Sequence, residues 1–379
     1  MKEFIPIATR FVQLPLEFVM KNGGVLHGAR IAYETFGQLN VARNNVILIL
    51  TGLSPDAHAT ANEEDASPGW WKKMLGPGMP IDTNHWYVIC INSLGSCKGS
   101  TGPASLNPST GQPYRLEFPD LAIEDIADAA AFTVRALGFE HLACVIGLSM
   151  GGMSALSFIA RHPGLARNHI NICGAAQALP FSIALRSLQR EAIRFDPNWN
   201  HGQYNEEKYP QNGMITARKI GMLTYRSAIE WNSRFARTSS DSDTRKDKKM
   251  FVHEFEVENY LTHHAQRFLN CFDPNAYLYL SRSIDLFDLG ESYDGSVDKA
   301  LSQLYLENAL VIGVKTDLLF PIQQQQQIAQ GLSSSGTNVR FHALESLEGH
   351  DAFLVDINRF GPPITDFLSS LPCDTLRYS

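Results

Sequence analysis

Apolar and polar positions along the chain change pattern twice. Up to about residue 181, short apolar runs alternate with helix-like stretches. "LHGARIAYETFG" (26–37) alternates apolar and polar side chains, as a half-buried strand does. "NNVILILTG" (44–52) and "HWYVICINSLG" (85–95) are apolar on both faces, the pattern of central parallel strands covered by helices. "LAIEDIADAAAFTVRALG" (121–138) has helical spacing and closes on a glycine, and "HLACVIG" (141–147) is another buried run. "MSALSFIARHPG" (153–164) is helical up to its Pro-Gly stop, and "HINICGA" (169–175) is a strand again. The succession βαβαβ predicts a mostly parallel α/β sheet.

Between Ser182 and Ser296 the apolar spacing turns helical throughout. "SIALRSLQREAIRFDPNW", "MITARKIGMLTYRSAIEW" and "FEVENYLTHHAQRFLNCF" are amphipathic, with no buried strand between them. The polar run 236–249 reads as a solvated loop. Strand patterning resumes with "ALVIGVKTDLLFP" and "VRFHALE", and "ITDFLSSL" is a closing helix. Residues 1–181 and 297–379 are thus expected to form one α/β core, with 182–296 inserted as a helical lid. The run Gln323–Gln327 starts a helix after Pro321 and reads as its polar face, and Trp70 and Trp71 read as packing residues.

Composition narrows the setting. Apolar residues make up 44% of the chain and charged residues 19%, as in an ordinary globular protein with a sizeable core. A net charge of −7 argues against nucleic acid or an anionic membrane as partner, since both select basic patches. The opening "MKEFIPIATRF" lacks the apolar core of a secretion signal, and no run approaches the roughly 18 apolar residues of a membrane span. Six scattered cysteines (Cys90, Cys97, Cys144, Cys173, Cys271, Cys373) form no CxxC pair and read as reduced thiols. A cytoplasmic setting is expected. The histidine pair 263–264 lacks partners at metal-ligand spacing, and P-loop, GxGxxG and HExxH motifs are absent, so neither a metal nor a resident cofactor is expected.

The chemistry concentrates in "ACVIGLSMGGMSAL" (143–156). "GLSMG" fits G-x-S-x-G between a buried strand and a helix, the context of a nucleophile elbow in an α/β-hydrolase fold. Glycines on either side allow neighbouring chain to approach a strained serine. Ser149 is then the nucleophile, and the Met150 backbone N–H, at the start of the helix, can donate to a developing oxyanion. A serine hydroxyl needs a base oriented by a carboxylate, in the chain order Ser, Asp or Glu, His. Asp317 in "GVKTDLLFP" follows a buried strand, and His350 in "LEGHDAF" lies on a glycine-bearing loop after the next, which completes a triad. A second oxyanion donor is expected in the loop after "VILIL", with the Leu53 N–H as candidate. His58 and Asp56 lie nearby without a catalytic signature.

Nearly the whole chain resembles the homoserine O-acyltransferase family of the α/β-hydrolase fold. The resemblance is carried by "NSLGSCKGSTGPASLNPSTGQPY", "GLSMGGMSAL", "ARKIGMLTYRS", "TDLLFP" and "GHDAFL". "TGLSPDAHA" and "ALPFSIALRSLQREAIR" resemble its serine O-succinylating branch, whereas acetyl-transferring homoserine members usually have a different loop after Thr-Gly. The resemblance implies ping-pong transfer of a succinyl group from succinyl-CoA, as substrate, through acyl-Ser149 to L-serine, supplying cysteine synthesis. It also implies a substrate-carboxylate arginine at Arg218, a substrate-binding acid at Asp351, an acyl-donor arginine at Arg186 and a homodimer paired through the lids. The loop Gly52-Leu53-Ser54-Pro55 is then expected to set acceptor length. A homoserine acyltransferase of methionine synthesis and a serine esterase or thioesterase are the alternatives.

Overall fold

The computed structural model describes residues 5–240, 252–269 and 271–372. Cys373 and positions 241–249 of the polar run lie outside them. Eight strands form one sheet: β1 (Arg10–Gln13), β2 (Arg30–Phe36), β3 (Val46–Leu50), β4 (Tyr87–Ile91), β5 (Leu142–Leu148), β6 (Ala166–Ile172), β7 (Asn308–Val314) and β8 (Asn338–Leu344). Their order is β1-β2-β4-β3-β5-β6-β7-β8, parallel from β4 onward, with β1 and β2 antiparallel at one side. This is the expected α/β class. β3 is buried at every position because both of its faces are covered. Ile47 and Ile49 point into one apolar cluster, Leu48 and Leu50 into the other.

Helices α1 (Ile123–Ala136) and α2 (Met150–Arg161) cover one face. The final helix, Ile357–Ser369, covers the other with Phe360, Ile364 and Phe367. Between β6 and β7 none of the described residues joins the sheet. The chain runs instead through α3 (Pro180–Arg194), α4 (Gln211–Tyr225), α5 (Ala228–Phe235), α6 (Glu256–Arg267), α7 (Pro274–Leu286) and α8 (Val297–Ser302). After β7 come α9 (Ile322–Ser334) and, past β8, α10 (Ala352–Val355). Met214, Ala217, Phe272, Tyr277 and Leu280 from the inserted segment share one apolar cluster with Leu48, Leu50, Met150 and Met153. Shared burial of this kind fixes the insertion over the sheet.

Several elements differ from the sequence pattern for identifiable reasons. The single strand read over 26–37 is split by Gly28, at φ 62°, into Val25–His27 and β2. The helix read through 214–231 breaks at Ser227, whose hydroxyl accepts from the Glu230 N–H and starts α5. α3 opens at Pro180, which at the first helical position loses no intrahelical bond. The glutamine run is not simply a polar face: Gln324 and Gln325 are buried, and their amides donate to the Gln177 and Gly174 carbonyls at 2.8 and 2.6 Å. Trp71 packs as expected, 1% exposed, with its indole N–H on the Phe353 carbonyl.

Strand register places the chemistry. Leu148 of β5 pairs with Ile172 of β6, Ile172 with Ile312 of β7, and Val314 of β7 with Leu344 of β8. The segments leaving β5, β7 and β8 therefore emerge along one edge, the carboxyl ends where open α/β sheets bind ligands. Ser149, Asp317 and His350 lie in those three segments.

Candidate active site

Ser149 sits between β5 and α2 at φ 55° and ψ −119°, a conformation that L-residues rarely adopt and that turns its side chain out of the sheet. The flanking glycines are required by close approach. A Cβ on Gly147 would lie 2.3 Å from the Gly151 carbonyl oxygen, and one on Gly151 only 2.0 Å from that of Leu50. The Ser149 N–H donates to the Ile172 carbonyl at 2.9 Å, which ties the elbow to β6.

His350 Nε2 lies 2.7 Å from Ser149 Oγ, and His350 Nδ1 lies 2.6 Å from Asp317 Oδ2. The other carboxylate oxygen of Asp317 accepts from the Leu319 and Phe320 N–H groups at 2.8 and 3.0 Å, which fixes the carboxylate plane. His350 rides a 3₁₀ turn, Gly349–Asp351, in which Gly349 has φ 62°. A Cβ there would meet the Tyr225 carbonyl at 2.8 Å, so only glycine lets the histidine turn pack beneath the end of α4. Burial acts to lower the His350 pKa. The charge and hydrogen bond of Asp317, helped by Asp351, more than offset that and hold it above its ordinary value. His169 is the contrast: buried in β6 with Nδ1 near the Val145 carbonyl, it is pushed down to about 4 and stays a neutral core group.

Phe320 and Phe353 set their rings edge-on to His350 at 5.3 and 5.8 Å, and Tyr225 lies 6.2 Å away. The chain segments that carry Met150 and Leu53 both pass close to Ser149. Met150 begins α2, where the first N–H groups lack intrahelical partners. A Cβ on Gly52 would come within 3.9 Å of the Ser149 Cβ, so the Gly52–Pro55 loop begins close beside Ser149, and Leu53 is half-buried.

The two sequence-selected arginines approach from opposite rings. The Arg218 guanidinium, on α4, lies 4.6 Å from the Phe268 ring centre and 5.8 Å from that of Tyr225, and among the described residues its buried Nε has no hydrogen-bond partner. Asp351 is half-buried. Its carboxyl is raised by burial, against the pull of His350, Arg226 and Arg218, and it lies 3.7 Å from Arg226 Nε. Arg186, on α3 and 6% exposed, sits 5.8 Å from the Phe320 ring centre, one aromatic ring removed from His350. Its Nε pairs with Asp285 Oδ1 at 2.5 Å and its Nη2 donates to Ser182 Oγ at 3.2 Å. Arg190 Nη1 takes the other oxygen of Asp285 at 2.5 Å.

Two participants are absent from the sequence reading. The Tyr225 ring neighbours both Arg218 and His350, and its phenol is raised by burial despite Arg218. Its position seven residues after Arg218 puts both on one face of α4, a signal present in the sequence. Asp285, which orders Arg186, lies 99 residues away and leaves no local signal. Among the described residues no group of three or more His, Cys, Asp and Glu side chains is placed to hold a metal, and no helix is long and apolar enough to cross a membrane.

A family model of the α/β hydrolase fold matches residues 45–356. Over 371 residues the chain is 62% identical to an L-serine/homoserine O-acetyltransferase of Streptomyces lavendulae, covering 97% of this chain and 99% of that protein. It is likewise 62% identical over 371 residues to a serine O-succinyltransferase of Stenotrophomonas maltophilia (strain K279a), covering 98% of this chain and 100% of that protein. A homoserine O-acetyltransferase structure from Bacillus anthracis matches with a TM-score of 0.87 at 28% identity, over 96% of this chain and 98% of that one. With a hydrogen-bonded Ser149–His350–Asp317 line on this framework, the chain belongs to the α/β-hydrolase fold family and, within it, to the serine and homoserine O-acyltransferases.

Proposed function

We propose that the protein is a serine O-succinyltransferase: it moves the succinyl group of succinyl-CoA to the hydroxyl of L-serine through an acyl-Ser149 intermediate. The observation that carries this reading is the unbroken hydrogen-bond line Ser149–His350–Asp317 with buried Arg186 one ring away, in a chain so similar to a named serine O-succinyltransferase. His350 Nε2 takes the Ser149 proton as Oγ attacks the thioester carbonyl. The carbonyl oxygen, now an oxyanion, accepts from the Met150 and Leu53 N–H groups. Collapse of this intermediate breaks the C–S bond, and CoA leaves with the proton from His350. His350 then takes the proton of the L-serine hydroxyl, whose oxygen attacks the acyl-enzyme carbonyl. The second collapse frees O-succinyl-L-serine and returns the proton to Ser149.

Arg218 is suited to the acceptor's α-carboxylate, because its Nε is a buried donor awaiting a partner. Asp351 faces the acceptor's ammonium. Arg186 receives the succinyl carboxylate through the guanidinium edge not committed to Asp285 and Ser182. The Gly52–Pro55 loop, beginning close beside Ser149, brings the α-carbon of the shorter acceptor close. Since one methylene discriminates by only about 1–3 kcal/mol, loop shape is enough to decide between serine and homoserine. The 182–296 segment serves as lid, the protein works as a cytoplasmic homodimer on small molecules without a resident cofactor, and its product feeds cysteine synthesis.

The Streptomyces relative, equally similar, favours a second reading in which acetyl-CoA is the donor. Thiol release with acetyl-CoA or succinyl-CoA against L-serine or L-homoserine separates the two, with no-acceptor and Ser149→Ala controls. Fast release only with succinyl-CoA plus serine supports the proposal. Preference for acetyl-CoA or homoserine overturns the substrate assignment, and equal release without acceptor makes the protein a hydrolase.

A further inference from the structure

Outside the triad, the chain holds a second serine–histidine–carboxylate arrangement. His58 Nδ1 lies 2.8 Å from Glu34 Oε2, and His58 Nε2 lies 2.9 Å from the Ser67 carbonyl oxygen and 3.2 Å from Ser67 Oγ. Proton placement shows that it is not a second nucleophilic site. A carbonyl oxygen only accepts, so Nε2 carries a hydrogen and cannot act as base toward Ser67. Thr9 Oγ1 at 3.0 Å and Asn62 Nδ2 at 3.1 Å also donate to Glu34, whose carboxyl is raised by burial against the opposing pull of His58 and Thr9. Glu34 and His58 thus form a hydrogen-bonded pair whose members are 0% and 5% exposed.

The pair joins two parts of the fold that sequence keeps apart. Glu34 belongs to β2 in the sheet, whereas His58 ends the segment that leaves β3 and passes Ser149 at Gly52. Two further ties hold the same segment: Asn92 Nδ2 donates to the Pro55 carbonyl and Trp70 Nε1 to the Asp56 carbonyl, each at 3.1 Å. Pro55, Asp56 and His58 are thus pinned from three directions, and Gly52–Ser54 is strung between those pins and β3. An oxyanion donor works only when it is already aimed where negative charge will develop, and a displacement of about 1 Å can cost on the order of 100-fold.

We propose that the Glu34–His58 pair is a positioning clamp that holds the Leu53 N–H in line with the oxyanion formed at Ser149. Neither residue touches substrate; both act through the backbone of the loop. The inference rests on the proposed roles of Ser149 and Leu53 in acyl transfer. It is independent of which acyl donor or acceptor the enzyme prefers.

The test is single-turnover acylation of Ser149 by p-nitrophenyl acetate, read as the p-nitrophenolate burst, in the full-length protein. His58→Gln and Glu34→Gln are expected to slow the acylation step about 10–100-fold while its apparent ester dissociation constant stays within about twofold. Trp70→Phe removes a single tether and keeps an aromatic ring, so it is expected to fold normally and slow acylation about 3–10-fold in the same way. A purely structural role predicts instead a lower melting temperature with an unchanged rate per folded, titrated active site. Unchanged acylation in the folded variants, Trp70→Phe included, overturns the clamp. A wild-type burst that is absent, or equal to that of Ser149→Ala, overturns the acyl-Ser149 reading itself and the clamp with it.

Discussion

Replacing Arg186 by methionine separates donor recognition from chemistry. The side chain is 6% exposed and its Nε is bonded to Asp285, so removing it could have stranded a buried carboxylate. Arg190 stays on the other oxygen of Asp285 at 2.5 Å and also bonds Ser281, so the acid keeps a cation and the variant is expected to fold. Methionine fills much of the same volume next to Phe320. What is lost is the charge that would meet the succinyl carboxylate. Truncating one member of a buried, hydrogen-bonded charge pair costs about 2–5 kcal/mol. The lower part of that range applies, because Arg190 leaves some positive charge in place. A loss of about 2–4 kcal/mol corresponds to roughly 30–1000-fold in kcat/KM, at 1.4 kcal/mol per factor of ten. Acetyl-CoA carries no acyl carboxylate, so its kcat/KM is expected to change by no more than about threefold on the same scale. Both are measured by thiol release at saturating L-serine. An equal fall with both donors, or no fall with succinyl-CoA, would refute a carboxylate-binding role for Arg186.

Activity is expected to fall at acid pH, because His350 must be neutral to accept the serine proton. Its raised pKa puts that acid limb above the ordinary histidine value of about 6.5. Asp317→Asn removes the negative charge that raises it and keeps a side chain of the same shape, so the limb should move to lower pH while the plateau falls about 10⁴-fold; a limb that stays in place contradicts the coupling. Tyr225→Phe should raise the acceptor KM several-fold and leave the acylation burst intact, since its ring lies 5.8 Å from the Arg218 guanidinium proposed to hold the acceptor carboxylate; a burst that falls in parallel would place Tyr225 in acylation. Gly151→Ala should give little soluble protein on expression, because its methyl would sit 2.0 Å from the Leu50 carbonyl oxygen; a soluble, active variant would show that β3 and α2 can separate at low cost.

What the sequence determined by itself is local or follows from chain order. The buried runs of β3, β5 and β7 were legible because strands covered on both faces must be apolar at every position. The elbow was legible because a strained strand-to-helix turn can be built only with glycines at fixed offsets from Ser149. Asp317 and His350 followed from their order after that elbow and their place beyond strands. Packing decided the rest. Register brought the ends of β5, β7 and β8 to one edge, and the wrap of α3–α7 brought Arg186, Arg218 and Tyr225 around His350. Asp285 and Glu34 could not be assigned from their neighbours in the chain, because the partners they hold, Arg186 and His58, lie 99 and 24 residues away. The buried Gln324 and Gln325 belong to the same class, since a polar side chain goes inside only where the fold supplies a carbonyl to receive it. Backbone geometry and hydrophobic period act within a few residues and are written in the sequence. Burial of charge depends on a partner that only the closed fold delivers.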